Sequence, residues 1–399
     1  MNTAENNILI LNGGSSSIKF ALFAVAPKLR IKMKGQIERI GTPDALFSTQ
    51  NGEHAAHATR PVAAADYASA VKLLIDWIHE KDIDGALIAV GHRIVHGGAN
   101  FHEPQRLTPT MMTELQQLAP LDRQHMPGEL SLADSFQQRF PKVPQVVCFD
   151  TAFHHNLPRV AQLMAIPRRY EAQGVRRYGF HGLSYEFLMS ELMQIDGAAA
   201  ARGRIILAHL GNGASLAAVS GGKPVDTSMG FTPTAGVPMG TRSGDLDPGL
   251  VSYLARSENM DAQQFDEMVN FKSGLLGVSE TSADMRDLLK IETEDPRAAE
   301  AVALYCYQIK KYIGAYAAAL GGLNTLVFAG GIGEKASVVR SRICAGLGFL
   351  GIKLDVSRNE QNDDVISADS GRVKVRVIRT NEELVIARSV CRVLGIGTA

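Results

Sequence analysis

Short apolar runs separated by turn residues open the chain. The runs "NILILN" (7–12), "SIKFALFAV" (17–25) and "RIKMKGQIERI" (30–40) read as strands, and Gly, Ser or Pro residues lie between them. This pattern predicts three successive strands that pair in antiparallel order.

A helical period follows, and then strands and helices alternate. In "DYASAVKLLIDWIHE" (66–80) the apolar positions recur every three or four residues, which predicts an amphipathic helix: Val71, Leu74, Ile75 and Ile78. The runs "ALIAVGHRIVHGG" (86–98) and "QVVCFDTAF" (145–153) predict buried strands, and residues 323–347 and 374–394 each predict a strand, a turn and a helix. Central strands followed by helices indicate an α/β architecture.

A weak internal repeat relates the two halves of the chain. "ILILNGGSSSIKFALF" (8–23) and "IILAHLGNGASLAAVS" (205–220) both contain an apolar strand, a turn of Gly and Ser, and a second apolar strand. The repeat indicates two halves built on one plan, each with its own Gly-Ser hairpin. A domain boundary just after Asp150 fits this plan.

The turn of the first hairpin has the composition of a phosphate site. Gly13 and Gly14 permit close backbone approach, tight-turn amides can hold phosphate oxygens, and Ser15, Ser16 and Ser17 add hydroxyl donors. The P-loop pattern does not match, because Lys19 follows Ile18 and precedes Phe20. An ordinary hairpin turn is the alternative for this segment alone.

Two residues beside that turn, and a second turn, favour the phosphate interpretation. Lys19 supplies a positive charge, and the Asn12 amide oxygen suits Mg²⁺ or its waters. In the second hairpin, Gly211 and Gly213 flank Asn212, and His209 precedes them. Two such hairpins, one in each half, could hold a polyphosphate from both sides.

A third glycine-rich segment, "VFAGGIGE" (327–334), is a strand that turns into a helix. It lacks the G-x-G-x-x-G spacing and comes late in the chain, so a Rossmann dinucleotide site is disfavoured. Gly330, Gly331 and Gly333 suit a platform for a nucleotide base or ribose, and a tight strand-to-helix turn is the alternative.

Three cationic side chains lie in glycine-flanked segments. They are Arg93 in "GHRIVHGG", His181 in "RYGFHG" and Arg242 in "MGTRSGDLDPG". Arginine suits bidentate contacts with carboxylate or phosphate, so the three predict a focused anion site. Each of them taken alone could be a structural or surface cation.

Two carboxylates follow apolar segments, and the histidines do not form a zinc pattern. Asp150 ends a buried strand, where catalytic groups of α/β sheets commonly lie, although it could instead cap the next turn. Glu382 has the same ambiguity, because it could simply begin the last helix. "HRIVH" is not HExxH, and His154 and His155 would point apart on a strand, so a zinc site is disfavoured.

Composition limits the classes of partner. The 399 residues are 45% hydrophobic and 21% charged, with 41 Lys+Arg against 41 Asp+Glu, so nothing predicts electrostatic attraction to nucleic acid or to an anionic membrane. The four scattered cysteines signal neither zinc nor disulfides. The polar N-terminus "MNTAENN" and the lack of an apolar run of about 20 residues favour a cytoplasmic protein with reduced thiols.

Ten segments occur in the order found in one enzyme family. They are "NGGSSSIKF", "GHRIVHGG", "FDTAFH", "RYGFHG", "HLGNGAS", "SMGFTP", "MGTRSGDLDPG", "SADMRDL", "FAGGIGE" and "TNEELVIA". In these segments, over essentially its whole length, the chain resembles the acetate kinases, the acetokinase family. That family belongs to the superfamily of acetate and sugar kinases, heat-shock chaperones and actin.

The resemblance implies two ribonuclease-H-like domains of duplicated topology, the actin-like ATPase fold, with a cleft between them. We expect residues 1–152 plus 385–399 to form the N-terminal domain. Residues 153–384 would form the C-terminal, nucleotide-binding domain. Members of the family are homodimers, so the resemblance implies a homodimer here.

The resemblance also implies a role for each site residue. Asp150 would be the catalytic carboxylate, and His181 and Arg242 would stabilise the transition state. Arg93 would bind the substrate carboxylate, in a small apolar pocket made by Val95, Phe180 and Pro233. Asn12 and Glu382 would hold Mg²⁺, or Mn²⁺ in its place, largely through waters. The ATP phosphates would contact Lys19, His209, Leu210, Gly211, Asn212 and Gly213. The adenosine would be surrounded by Asp284, Met285, Arg286, Gly331, Ile332, Gly333, Glu334 and Lys335.

One segment departs from the family pattern. The family usually has "APLHNP" before the Asp150 strand, with a pocket Leu and a nearby His, whereas this chain has "LAPLDRQHMPGEL" (118–130). Alignment on the spacing to Asp150 puts Gln124 at the pocket Leu and His125 at the His. Alignment on "APL" puts Leu121 and Asp122 there instead. The first needs no gap and predicts a polar pocket wall that disfavours long acyl chains.

The expected reaction is the reversible transfer of a phosphoryl group from ATP to acetate, giving acetyl phosphate and ADP, by direct in-line transfer. Propionate kinase is the alternative within the class. From another class, an actin-like or chaperone-like ATPase would share the nucleotide fold. It would lack the cation set of Arg93, His181 and Arg242 around a small acid.

Overall fold

The structure, a computed structural model, describes residues 6–14, 16–25, 28–52 and 58–397. They divide into two compact units: unit 1 is Met1–Ala152 with Asn381–Ala399, and unit 2 is Phe153–Thr380. The last helix lies in unit 1, and Asn381 caps it by accepting a hydrogen bond from the Leu384 amide at 3.0 Å. Within the described part of the chain, no helix is both long and apolar enough to cross a membrane.

Unit 1 is built on an eight-stranded sheet in the order β5-β4-β3-β2-β1-β6-β8-β7. The strands are β1 Asn7–Gly13, β2 Ser17–Ala24, β3 Arg30–Glu38, β4 Leu46–Asn51, β5 Ala58–Pro61, β6 Leu87–Ile94, β7 Gln105–Arg106 and β8 Gln145–Phe149. The helices are α1 Tyr67–Glu80, α2 Pro109–Leu118, α3 Met126–Arg139 and α14 Glu382–Leu394. The predicted antiparallel opening and first helix are confirmed, since β2 pairs antiparallel with both β1 and β3.

Both faces of β1 are buried, and the sequence there is accordingly apolar throughout. Leu9 and Leu11 join a cluster that includes Phe20 and Trp77 of α1. On the opposite face α14 packs against β1 and β6. Gly91 of β6 allows this packing, because a Cβ there would lie 2.7 Å from Ile386 and 2.9 Å from Ile10.

Unit 2 is built on a five-stranded sheet in the order β11-β10-β9-β12-β13. The strands are β9 Ile205–Leu210, β10 Ala214–Ser220, β11 Lys223–Thr227, β12 Thr325–Ala329 and β13 Lys374–Val377. The helices are α4 Arg159–Gln162, α5 Gly182–Ala201, α6 Gly249–Ser257, α7 Ala262–Phe271, α8 Gly274–Ser279, α9 Met285–Ile291, α10 Pro296–Ala319, α11 Gly330–Lys335, α12 Ser337–Cys344 and α13 Val356–Gln361.

The two sheets share one topology. In unit 1 the antiparallel strands β3-β2-β1 continue into the parallel strands β6 and β8, and in unit 2 β11-β10-β9 continue into the parallel strands β12 and β13. This repetition is the duplicated, actin-like ATPase fold. The weak sequence repeat between the two Gly-Ser hairpins therefore corresponds to a repeat of the fold.

One local prediction was wrong. His154 and His155 do not lie on a strand, because β8 ends at Phe149 and Ala152–His154 form a 3-10 helix. The physical reason is the length of the neighbouring strand. Phe149 pairs with Ile94, the last residue of β6, so the chain beyond has no strand left to pair with.

Candidate active site

Neighbouring strands of unit 1 place three predicted residues in one row. Lys19 of β2 lies directly opposite Asn12 of β1, and Asn12 lies opposite Arg93 of β6. Directly opposite residues project to the same face of a sheet, so register alone aligns the three side chains. The intervening turn is closed by a 2.7 Å hydrogen bond from the Gly14 amide to the Ser17 carbonyl, and Ser15 lies outside the described residues.

Arg93 is held by two buried carboxylates. Its Nε and Nη2 donate to Asp150 Oδ2 at 3.1 and 2.5 Å, and its Nη1 donates to Glu129 Oε1 at 2.7 Å. Burial alone would lower the pKa of Arg93, but Asp150 and Glu129 overcome that effect and raise it. The guanidinium is therefore permanently charged and fixed in direction.

Glu129 is the site residue that the sequence analysis missed. Its Oε2 accepts the Val95 amide hydrogen at 2.7 Å, so one carboxylate fixes both the predicted substrate cation and the backbone of a predicted pocket residue. Burial raises the pKa of Glu129 to about 8 against the opposing effect of Arg93. The sequence feature that could have identified Glu129 is its charge on the apolar face of α3, one turn from Met126 and Ala133.

A third carboxylate, Glu382, lies beside this cluster. Asn12 Nδ2 donates to Glu382 Oε2 at 3.4 Å, and burial together with the charge of Asp150 raises the pKa of Glu382 to about 7. Asp150 Oδ1 is buried without a hydrogen-bond partner among the described residues. Hard oxygen donors in excess of positive charge, one of them unsatisfied, fit a divalent cation.

Direct protein ligands to such a cation are few. In the described ranges, no group of three or more His, Cys, Asp or Glu residues could hold a metal ion. A cation at Asn12 and Glu382 would therefore complete its shell with waters or substrate oxygens, as Mg²⁺ commonly does.

In unit 2 the second Gly-Ser hairpin forms as predicted, between β9 and β10. The Gly211 amide donates to the Gly213 carbonyl at 3.0 Å, and the Asn212 carbonyl accepts the Gly240 amide at 3.0 Å. Leu210 is buried behind this turn. Asn212 itself is exposed at the tip, so its backbone is accessible to a ligand.

The side chains of His181 and Arg242 converge on this turn. A Cβ added to Gly213 would lie 3.2 Å from His181 Nε2 and 3.6 Å from Arg242 Nη1. Arg242 is directed by its own segment, since its Nη1 donates to the Pro233 carbonyl at 3.3 Å. The imidazoles of His181 and His209 stack with ring centroids 4.3 Å apart. Both predicted transition-state residues of unit 2 thus face a turn with exposed backbone.

Phe180 and Pro233 are both buried. His154 donates through Nε2 to the Phe180 carbonyl at 3.0 Å, and burial lowers the pKa of His154 to about 4, so this support is a neutral imidazole. The buried His154 is thus a structural residue that orients the segment before His181.

The predicted adenosine segments lie near the same turn. Gly330 begins α11 with a φ of 75°, and a Cβ there would lie 2.7 Å from the Leu210 carbonyl, so glycine is required. Next to it Gly331 is exposed. Asp284 caps α9 and pairs with exposed Arg286, which lowers the Asp284 pKa through that hydrogen bond, while Met285 is buried.

Glu334, which is predicted to lie beside the adenosine, also holds the backbone of two segments. Its Oε1 accepts the amides of Gly330 at 3.0 Å and Thr380 at 3.2 Å, so it ties the start of α11 to the segment after β13. Lys335, at the end of α11, is exposed, and Ile332 and Gly333 complete the helix between them.

Comparison with known proteins gives a consistent result. The sequence model of the acetokinase family matches residues 7–388. The chain is 44% identical to the propionate kinase of Citrobacter rodentium, covering 98% of this chain and 97% of that one. It is 42% identical to the acetate kinase of a Geobacillus species, covering 98% and 100%.

A solved structure agrees with the sequence relatives. The crystal structure of Porphyromonas gingivalis acetate kinase superposes with a TM-score of 0.86 at 37% identity, over 98% of this chain and 100% of that one. The match spans both units and every predicted site segment. The chain therefore belongs to the acetokinase family.

Proposed function

We propose that the protein is an acetate kinase, which transfers the γ-phosphoryl group of ATP to acetate and gives acetyl phosphate and ADP, reversibly. Membership of the family makes the chain a phosphotransferase with a carboxyl group as acceptor. The observation that carries the proposal is the convergence of His181 Nε2 and Arg242 Nη1 on the Gly211–Gly213 turn. Phosphoryl transfer needs such donors where charge develops on the equatorial oxygens.

Acetate is already a nucleophile, so the reaction needs positioning and charge stabilisation more than a base. Arg93 would bind the acetate carboxylate through the N–H of Nη2 that Asp150 does not use, while Asp150 keeps the guanidinium in place. Asp150 would orient the reacting groups without removing a proton. Direct in-line transfer follows from these roles, and a phosphorylated enzyme trapped on the reaction path would overturn it.

The nucleotide contacts are part of the same proposal. Lys19 and residues 209–213 would contact the ATP phosphates, and residues 284–286 and 331–335 would surround the adenosine. Asn12 and Glu382 would hold Mg²⁺, or Mn²⁺, which when bound neutralises phosphate charge. The excess of carboxylate oxygens over cations around Asn12 supports this site.

Propionate is the second candidate substrate, because the 44% identical relative is named a propionate kinase. Val95, Phe180 and Pro233 would contact the acyl methyl group, and Gln124 would place a polar group against longer chains. One methylene changes binding by only about 1–3 kcal/mol, so the two activities will overlap.

The acyl-substrate profile with ATP and Mg²⁺ tests the proposal. We expect kcat/KM to fall from acetate to propionate to butyrate, and ADP release to depend on added carboxylate. A preference for propionate would assign the second candidate, and a preference for butyrate would refute the small pocket. ATP turnover that is indifferent to carboxylate would favour an actin-like or chaperone-like ATPase.

We further propose a cytoplasmic homodimer. The four cysteines, each within the described part of the chain, are buried and form no disulfide, as fits a reducing compartment. The dimer rests on family membership. Light scattering during gel filtration would test it, and a monomeric mass at micromolar protein would count against it.

A further inference from the structure

The His181 ring is linked to a chain of two hydroxyl groups. Its Nδ1 lies 2.8 Å from Ser215 Oγ, and the Tyr185 hydroxyl makes a short hydrogen bond with the same Oγ. Ser215 and Tyr185 are both fully buried. Ser215 is the second residue of β10, and Tyr185 lies one helical turn after His181 in α5.

The neighbouring His209 has a parallel arrangement. Its Nδ1 lies 2.8 Å from Ser184 Oγ, and that oxygen lies 2.9 Å from Thr380 Oγ1. His209 is the direct cross-strand partner of Ser215, so these two side chains project to the same face of the sheet. Serine hydroxyls therefore face Nδ1 of both rings, and the Nε2 atoms face the Gly211–Gly213 turn.

A neutral His181 allows two arrangements in which the Ser215 proton is used in one of the two hydrogen bonds that join Ser215 to His181 and Tyr185. In the first, Tyr185 donates to Ser215, Ser215 donates to Nδ1, and the ring proton resides on Nε2. In the second, Nδ1 donates to Ser215, Ser215 donates to Tyr185, and Nε2 carries only a lone pair. A phenol is the more acidic hydroxyl and hence the better donor, which favours the first.

The phosphate expected at the Gly211–Gly213 turn favours the same arrangement. Nε2 faces the turn that would hold phosphate, and a phosphoryl oxygen can only accept a hydrogen bond. A lone pair on Nε2 would repel it, whereas an N–H would donate to it. A positive charge on both stacked rings is disfavoured, because like charges at 4.3 Å repel each other.

We propose that Ser215 and Tyr185 are positioning residues that hold His181 as the Nε2–H tautomer, so that it donates to the transferring phosphoryl group. The step involves no covalent change, since all three protons keep their heavy atoms throughout. The consequence for phosphoryl transfer rests on the proposed function, whereas the tautomer itself does not.

Nitrogen NMR of the enzyme labelled with ¹⁵N-histidine tests the tautomer without any turnover. The His181 signals are identified by their loss in His181→Gln. We expect a pyridine-like Nδ1 and a pyrrole-like Nε2 in the wild-type protein. A pyrrole-like Nδ1 would overturn the proposal even in a fully active acetate kinase, whereas a pyridine-like Nδ1 in an inactive protein would sink only the proposed function.

Two variants test the effect on rate. Ser215→Ala should mix the tautomers and lower kcat about 10-fold, while KM for acetate and ATP changes less than about 2-fold. Tyr185→Phe keeps the aromatic ring and Ser215, and should lower kcat about 3-fold with partial mixing of tautomers. This second variant keeps the proposal falsifiable if Ser215→Ala does not fold.

Ser389→Ala is the matched control, because Ser389 is an equally buried serine that accepts a hydrogen bond from Arg392 in α14. It should retain the wild-type His181 signals and kcat. A single Nε2–H tautomer in Ser215→Ala, or an equal loss of kcat in Ser389→Ala, would refute the positioning role.

Discussion

At the scale of single residues, the substitution of Arg242 tests its assigned role in stabilising the transition state. Its guanidinium donates to the Pro233 carbonyl and lies beside the Gly213 turn, and the residue is half-buried and not part of the core. We expect Arg242→Ala to lower kcat by about 10²–10³-fold with little change in the free energy of unfolding. Steady-state kinetics and urea unfolding would measure both, and wild-type turnover would contradict the assigned role.

Arg93 behaves differently, because it is the partner of two buried carboxylates. Arg93→Ala would leave Asp150 and Glu129 unpaired, and we expect a loss of about 3 kcal/mol of stability in addition to the loss of turnover. Urea unfolding would measure the first and kinetics on the folded fraction the second. A variant as stable as Arg242→Ala would show that the carboxylates do not depend on Arg93.

Residue types in quoted motifs were predictable from sequence, but their supporting contacts were not. Arg93, Asp150 and Asn12 lie in short segments with a chemical signature, whereas Glu129 is thirty-six positions from Arg93 in the chain. Ser215 and Tyr185 likewise look like ordinary strand and helix residues until the fold brings them to His181. Contacts between distant segments carry no local pattern in a single sequence.

At the scale of elements, the contact between α14 and β6 depends on one missing side chain. Gly91→Ala would place a Cβ within 2.9 Å of Ile10, Ile386 and Val390, all side-chain atoms that must shift. We expect this variant to lose about 1–3 kcal/mol of stability, measured by thermal or urea unfolding.

Gly85→Ala is the control for that substitution, since nothing lies within 4 Å of the Cβ it adds. It should leave the protein slightly more stable, by about 0.4–1 kcal/mol, because alanine restricts the unfolded chain. Equal destabilisation by the two variants would show that α14 does not depend on close approach to Gly91.

Strands and hairpins were predictable because their apolar runs are short and bounded by glycine and serine. The segment after Asp150 was not, because its conformation depends on where the neighbouring strand β6 ends. The start of α14 was ambiguous for a related reason: Asn381 caps the helix, and the adjacent Glu382 accepts a hydrogen bond from Asn12. A local sequence pattern does not distinguish a residue that begins a helix from a residue of the candidate site.

At the scale of the whole molecule, each unit contains a buried neutral histidine. Burial lowers the pKa of His92 in unit 1 and of His154 in unit 2 to about 4. The unfolded chain therefore binds these protons near pH 6.5 and the folded chain only near pH 4. The stability that each histidine contributes is present above about pH 6.5 and is lost as pH falls towards 4.

Glu129 and Glu382 act in the opposite direction, because burial raises their pKa values to about 8 and about 7. The stability that these two residues contribute is lost as pH rises through those values. The free energy of unfolding of the whole protein should therefore vary only weakly with pH. The difference in the free energy of unfolding between wild type and His92→Gln reports on this one histidine. That difference should change by up to about 3 kcal/mol between pH 6.5 and 4. Urea unfolding across that range measures it, and a constant difference would contradict the buried neutral state of His92.

The backbone of His181 has a φ of 58°, in the left-handed region that favours glycine. Replacement by glycine should therefore give a more stable protein than replacement by alanine, by about 1 kcal/mol, although both variants lack the imidazole and should turn over equally slowly. Differential scanning calorimetry would show the order, and an alanine variant as stable as the glycine variant would contradict it. Under the proposed role of His181, stability and activity make opposing demands on this position: the backbone conformation favours glycine, whereas phosphoryl transfer would need the imidazole.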